Sequence, residues 1–414
     1  MQSEWPIRSV IDLQREGVLL VEDGNHGQYR PRRDEIGDTG RPHIRAADLS
    51  DDGRIDFDSA QRISDAAVAR IRKGQARAGD VIVSHKGTVG RVALAPPDAE
   101  LFVCSPQTTL WRVLDEDRLD RGFLFAQLRS PWLHGQFRRV MHESDMAPYV
   151  SLSSQRRFKV LLPPIDVQRR IARVISALDD KIESNRRLCK LLDAVCQAEF
   201  DRLTSLATSG EHRIGDICDI NSRSWTGANA PEWIDYIDIS STAEREILTV
   251  QRLLYTDAPS RARRIVRTND TIVSLVRPER RAMAFIHEAS PELTASTGFA
   301  VVTPSRASPT FVYRAVTSDR CIDRLTAEAT GSAYPATNAS VLGDVRVAMP
   351  SDSGAEFERF ARPLESRIAA ARTESRSLAA IRDALLPKLV SGQIRVPLSD
   401  DSAGQVGAAI EALA

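Results

Sequence analysis

The chain has 414 residues, 42% hydrophobic and 27% charged, with equal numbers of basic and acidic side chains and a net charge of zero. That length calls for two or three domains, and the composition is that of a globular protein. No apolar run approaches the ~20 residues of a membrane span, no basic-then-apolar leader opens the chain, and zero net charge removes any global electrostatic argument for nucleic acid.

The first short apolar segment is "WPIRSVIDL" (5–13). After it comes "LLVEDGNHGQYRPRRDEIGDTG" (19–40), rich in Gly, Asp and Arg and expected to be a surface loop. Tyr29, Arg30, Arg32 and Arg33 within it are candidates for contact with DNA. "PHIRAADLS" (42–50) follows. A basic cluster, Arg70, Arg72, Lys73 and Arg77, precedes the β-branched run "DVIVS" (80–84), and Lys86 and Arg91 follow it. These short runs, punctuated by Gly, Pro and Asp, predict strands of an α+β domain.

From about Asp166 to Leu203 the periodicity changes. Ile171, Ile175, Leu178, Ile182, Cys189, Leu192, Cys196 and Leu203 recur at alternating four- and three-residue steps, the seam of a coiled coil. The "LPPI" turn opens this helix, and Asn185 takes a seam position where a polar side chain fixes register. The segment "HRIGDICDI" (212–220) then restarts the opening pattern, and "DTIVS" (270–274) repeats the strand motif. Arg261, Arg263, Arg264 and Arg267 stand before it, and Arg277, Arg280 and Arg281 stand after. A second seam runs Phe357, Ala361, Leu364, Ile368, Ala371, Leu378 and Leu385. Pro363 is expected to start or kink the regular helix, and Pro387 with Gly392 to end it.

The chain is therefore an imperfect duplication. Ile7 aligns with Ile214, Val10 with Ile217, Asp48 with Asp238, Ser50 with Ser240, Asp80 with Asp270 and Ser84 with Ser274. "ALDDKI" (177–182) aligns with "PLESRI" (363–368), and the spacing between matched residues drifts only from about 207 to about 186 along the chain. In that register Arg263 falls on Lys73, Arg267 on Arg77 and Arg281 on Arg91, so both basic clusters flank the same strand. Phosphate contact needs Arg or Lys, and base readout favours arginine on guanine. One helix cannot bury its seam alone, but the two can bury each other's. An antiparallel pair places the two globular domains at opposite ends, about a pseudo-two-fold axis. Such a ruler suits a split DNA site, one duplex turn being about 34 Å.

Enzyme signatures are missing. "SHKGTVG" (84–90) only imitates a phosphate loop. There is no dinucleotide or S-adenosylmethionine fingerprint and no Asn/Asp-Pro-Pro-aromatic pocket floor. No Gly-x-Ser-x-Gly elbow occurs, and the seven histidines show no metal-ligand spacing. Asp179 and Asp180 lie on the seam helix and read as a solvated face. Five scattered cysteines suit reduced thiols in a cytoplasm.

With those segments in view, the chain closely resembles the specificity (S) subunits of type I restriction-modification systems. The matching stretches are "GDVIVSHKGTVGRVAL" (79–94) with "SPQTTLWRV" (105–113), "VLLPPIDVQRRIARVISALDDKIESNRRL" (160–188) and "LLPKLVSGQI" (385–394). The resemblance implies two tandem target-recognition domains (1–164 and 206–352) and two conserved spacer helices (165–205 and 353–392) forming an antiparallel intramolecular coiled coil, then a flexible tail (393–414). It also implies partners: double-stranded DNA, two methyltransferase (M) subunits and restriction (R) subunits, and no membrane. S-adenosylmethionine, Mg and ATP belong to those partners, leaving this chain without a cofactor or catalysis of its own. Copy two departs from the pattern, since "SLVRPERRAMAF" (274–285) lacks the Gly-Thr-Val-Gly turn and "MPSDSGAEFERF" (349–360) lacks the double proline. The same residues also fit the recognition part of a type II-like or phage-defence methyltransferase, or a coiled-coil scaffold that does not touch DNA.

Overall fold

The computed structural model describes residues 5–141, 148–207, 210–331 and 334–396. Residues 397–414 of the expected tail lie outside the described residues. The chain divides into two units, Met1–Glu183 with Arg376–Ala414, and Ser184–Ser375. Each contains one α+β domain and half of each long helix.

The first unit is built on a four-stranded sheet ordered Leu19–Asp23, Thr108–Val113, Val81–Ser84, Val92–Leu94. Its Val81–Ser84 strand is buried throughout because both faces are covered. Val81 and Val83 join a core with Trp111, Phe123 and Leu133, while Ile82 joins one with Ile44, Phe102 and Leu110. A second sheet runs Ile36–Gly37, Arg62–Ile63, Arg41–Ile44, Phe102–Cys104, Gln75–Ala76, with Arg41–Ile44 and Phe102–Cys104 parallel. The expected loop at 19–40 is thus a loop only in part. Its first five residues are a strand, since Leu19 and Val21 alternate into the core. The remainder holds two 3₁₀ turns and a short strand.

The second unit repeats this wiring. Its sheet Cys218–Ile220, Phe299–Pro304, Thr271–Ser274, Met283–Phe285 has the same order, and its second sheet again centres on a parallel pair, Trp233–Ile237 beside Leu293–Ser296. The duplication is real, but two of its registers differ from the alignment. Val10 donates to the Phe158 carbonyl and Ile214 to that of Val345, both at 2.9 Å, so Val10 corresponds to Ile214 and not to Ile217. Ile44 pairs with Cys104 where Ile237 pairs with Ala295, so Asp48 does not correspond to Asp238. Two- to five-residue strands carry too few apolar positions to fix a register within three residues.

The central helix is Ile165–Ser205 and the C-terminal helix Ala355–Ser391. In the first unit Ile171 and Ile175 pack with Leu385, Leu386 and Leu389, beside the half-buried Leu178. In the second, Asn185 donates to the Glu374 carboxylate at 2.9 Å, Cys189 meets Ile368 and Phe200 meets Phe357. Both stretches are antiparallel. Ile182, Leu192, Leu364 and Leu378 are half-buried, and Ile368 is buried. Neither proline breaks the C-terminal helix. Pro363 is exposed, as are Arg359 and Asp383, the residues whose carbonyls lose a donor to Pro363 and Pro387, so water can serve those groups. Gly392, at φ +81°, ends the helix where a Cβ would strike the Trp5 ring at 2.7 Å.

The seam is also more polar than its periodicity implies. Asp179 accepts from Arg129 and Arg382, each at 2.7 Å, so it is not a solvated face. In the second unit Arg314, fully buried, pairs with Glu365 and, at 2.8 Å, with Asp193, which also holds Arg245. All five cysteines are free. Burial pushes the thiols of Cys104, Cys218 and Cys321 up to about 12 and that of Cys196 to about 11. Iodoacetamide at pH 8 should therefore label Cys189 first, the half-buried one. Peptide mapping of the alkylated native chain checks this, and early labelling of Cys104 would contradict it.

Candidate nucleic-acid interface

The strands Leu19–Asp23 and Val81–Ser84 run in the same direction, so their C-terminal ends share one edge of the sheet. Asn25 and Lys86 follow those ends. The Arg70–Arg77 cluster reaches this region because Gln75–Ala76 pairs with Phe102–Cys104, whose end adjoins Asn25.

Arg72, Lys73 and Arg77 are exposed, as are Arg30, Arg32, Arg33 and Lys86. Arg72 lies over the Tyr29 ring, 5.4 Å from its centroid, which joins the 19–40 segment and the 70–77 cluster into one surface. Arg70 is committed elsewhere. It grips Glu35 with two hydrogen bonds of 2.7 Å. Those bonds, with the Arg32 amide, hold the Glu35 carboxyl down at about 2. A depressed carboxyl keeps its link intact above the usual carboxylate range and loses it only as pH falls toward 2. Arg91 is likewise engaged, with Asp51 at 2.8 Å and the Leu49 carbonyl at 3.1 Å.

In the second unit Arg261 meets the Tyr236 hydroxyl at 3.1 Å, Arg264 meets Ser224 at 3.3 Å, and Arg263 lies over Tyr255, 5.0 Å from its centroid. Arg267 and Arg280 are exposed. Two of the three basic matches keep their register. Arg77 and Arg267 open the same turn, each backbone N–H donating at 2.8 Å to a buried aspartate, Asp80 or Asp270. Gln75 and Ile265 take the same place against the neighbouring strand, which carries Lys73 onto Arg263.

Arg281 does not match Arg91. Ser84 donates to the Arg91 carbonyl, whereas Ser274 donates to that of Ala282. The second loop is one residue longer, and Arg281 stands where copy one has Gly90. The turn that copy two seemed to lack is present all the same. Gly87 and Gly90 have φ +78° and +95°, and Arg277 and Arg281 take the same left-handed region at +50° and +54°. Gly87 donates to Pro148 and Arg277 to Pro335, which confirms the equivalence. A non-glycine residue in this region costs roughly 1–2 kcal/mol, and local contacts hold it there. Arg277 stacks on Tyr334 at 4.6 Å, while Arg281 pairs with Glu244 at 2.9 Å and Asp319 at 2.6 Å. A third exchange, Gly53 at +93° for Arg245 at +60°, sits at the matching hairpin turn. Tyr255 and Tyr334, which carry these arginines, escape a search for basic clusters, although an aromatic residue spaced near arginines is a readable signal. Among the described residues no three His, Cys, Asp or Glu side chains are grouped to hold a metal, and no helix is long and apolar enough to cross a membrane.

Residues 26–192 match the model of the type I restriction modification DNA specificity domain, and the class defined by this domain and fold is that of DNA specificity proteins. Over those residues the chain is similar to the specificity subunits of type I restriction-modification systems. It is 22% identical over 215 residues to a putative type I restriction enzyme MjaX specificity subunit of Methanocaldococcus jannaschii. That match covers 51% of this chain and spans about half of the relative, 47% of its length. The fold is that of a type I restriction-modification S subunit from M. genitalium, 15% identical, with TM-score 0.59 over 94% of this chain and 96% of the other. An HsdS subunit from Thermoanaerobacter tengcongensis, 18% identical over 94% of this chain and 97% of its own, aligns at TM-score 0.38.

Proposed function

We propose that this chain recognises a split DNA target, one half with each unit, and carries methyltransferase and restriction subunits to it without catalysing anything itself. The observation that supports this reading most directly is the recurrence of exposed basic residues, Arg77 and Arg267, on one turn of a duplicated domain. Adenine methylation with S-adenosylmethionine, and any Mg- and ATP-dependent cleavage, fall to the partners in this reading.

If Arg77 and Arg267 face phosphate, Arg77→Ala and Arg267→Ala should each weaken DNA binding by the complex without altering its preferred sequence. Each loss should flatten the slope of log affinity against log salt by about one. Titrations at several salt concentrations, on cognate and half-site-scrambled duplexes, read both quantities. Unchanged affinity and slope for both variants would place these arginines away from DNA.

The partner-docking part of the proposal draws on side chains the second unit leaves in solvent. Leu191 (63% exposed) and Val195 (40% exposed) lie one turn apart on the central helix, and Phe360 is exposed on the C-terminal one. A Leu191→Asp/Val195→Asp double variant should fold normally but fail to co-purify with a methyltransferase subunit. Retained co-purification would move the docking surface elsewhere.

A further inference from the structure

We infer that Arg72 reads a guanine in one half of the DNA target and that the Tyr29 ring holds it in reading position. This rests on the DNA-recognition role proposed above and names a specificity-determining residue within it.

The basic side chains of the first unit differ in what they have left to offer. Arg70 is bonded twice to Glu35, Arg91 to Asp51, and Arg112 to Asp80 at 2.6 and 2.7 Å. Arg72 lies over Tyr29, 5.4 Å from the ring centroid, and, among the described residues, meets no carboxylate or carbonyl. Stacking fixes the plane of a guanidinium while leaving its fork of N–H donors unspent along the edge. Such a fork matches the O6 and N7 acceptors of guanine in the major groove. Because the side chain is already ordered, less rotamer freedom is lost on binding. A phosphate needs no such orientation. Lys73, Arg77 and Arg30 close by are exposed and suffice for that contact.

The stack is built from beneath. Asn25, 2% exposed, donates its side-chain amide to the Tyr29 carbonyl at 2.9 Å. Its backbone N–H donates to the Cys104 carbonyl at 2.7 Å, and the Cys104 N–H donates to the Gly74 carbonyl at 2.7 Å. One residue of the sheet thus pins both loops, the one carrying the ring and the one carrying the arginine. The Gly74 N–H is held by Glu22 at 2.7 Å. A Cβ on Gly74, at φ +77°, would stand 2.7 Å from the Asn25 nitrogen, so only glycine lets the loops close to this distance.

The second unit carries a related contact. Arg263, which falls on Lys73, lies over Tyr255 and donates to its hydroxyl at 2.5 Å. Each unit therefore holds an arginine of its basic cluster over a tyrosine ring.

The test uses the full chain in complex with its methyltransferase subunits and a duplex pool with randomised positions, sequenced before and after binding. Wild type, Arg72→Lys, Tyr29→Phe, Tyr29→Leu and Arg77→Ala are compared. Arg72 is exposed, so Arg72→Lys should keep the fold, which thermal unfolding checks. Arg72→Lys preserves charge but not the fork. It should erase a guanine preference at one position of one half-site, by about tenfold to a hundredfold, and leave the other half-site unchanged. Tyr29→Leu should weaken the same preference severalfold, and Tyr29→Phe, which keeps the ring, should retain it. Arg77→Ala should lower binding to all sequences alike. An Arg72→Lys complex that keeps every base preference, or loses affinity evenly across all sequences, overturns the inference while leaving the proposed function standing. A wild-type complex that enriches no sequence would instead overturn the DNA-recognition reading, and the inference with it.

Discussion

Replacing Arg314 with leucine should lower the opening free energy of the second unit by about 3–5 kcal/mol. The guanidinium is fully buried, and its removal leaves Glu365, 3% exposed, as an uncompensated charge between the two long helices. Asp193 is affected less because Arg245 also holds it. The control is the double variant Arg314→Leu/Glu365→Leu. Burying two apolar side chains in place of a desolvated ion pair is often close to neutral, so the double variant should recover most of the loss. Hydrogen exchange resolved by peptide across 184–375 gives the opening free energy of this unit alone. A single variant costing less than about 1 kcal/mol, or a double variant no better than the single, would show that the pair is not electrostatically isolated as its burial implies.

A loss of comparable size should follow Trp111→Ala in the first unit, about 3–5 kcal/mol. Trp111 is fully buried among Val83, Phe123 and Leu133, and its indole N–H donates to the Gln155 side chain at 3.2 Å. Gln155 also accepts from Thr109 at 2.9 Å, so the amide oxygen keeps a partner when the indole is lost. Trp111→Phe should therefore cost much less, mainly the missing ring volume and about 1 kcal/mol for the hydrogen bond. Exchange should accelerate in the strands at 19–23, 81–84 and 108–113. Amides of 271–274 and 299–304, which belong to a separate core, should keep their protection. Equal acceleration in both sets would mean that the two cores open together.

What the sequence made legible follows from how strongly each signal is patterned. The two long helices were readable because their seams persist over many turns, and Asn185 because a polar residue interrupts an otherwise apolar stripe. The Asp-x-Ile-Val-Ser strands were readable because both copies keep the aspartate that closes the preceding turn. Local rules failed where tertiary packing overrode them. Pro363 reads as a break, yet the helix passes through it because the freed carbonyl lies on an exposed stretch. Asp179 reads as surface because charge usually is, and its partners Arg129 and Arg382 come from distant segments that no local pattern reveals. Arg281 was matched to Arg91 because a one-residue insertion inside a basic loop leaves no trace in composition. The Tyr29–Arg72 stack joins residues from two loops that only the sheet brings together. Tyr29 was visible as the aromatic residue among the arginines, but its partner was not.

The exchange of glycine for arginine at left-handed turns has a consequence for how such a protein can change over generations. Holding arginine there costs roughly 1–2 kcal/mol in the folded chain. A glycine at the same place forfeits roughly 0.4–1 kcal/mol through the greater freedom of the unfolded chain. The two penalties largely cancel, so Gly87 against Arg277 and Gly90 against Arg281 are nearly neutral alternatives for the fold. They are far from neutral for the surface, because each exchange adds a full positive charge to a loop beside the candidate interface. A duplicated domain can thus drift in charge, and with it in grip on a polyanion, while its architecture stays under almost no selection at those turns.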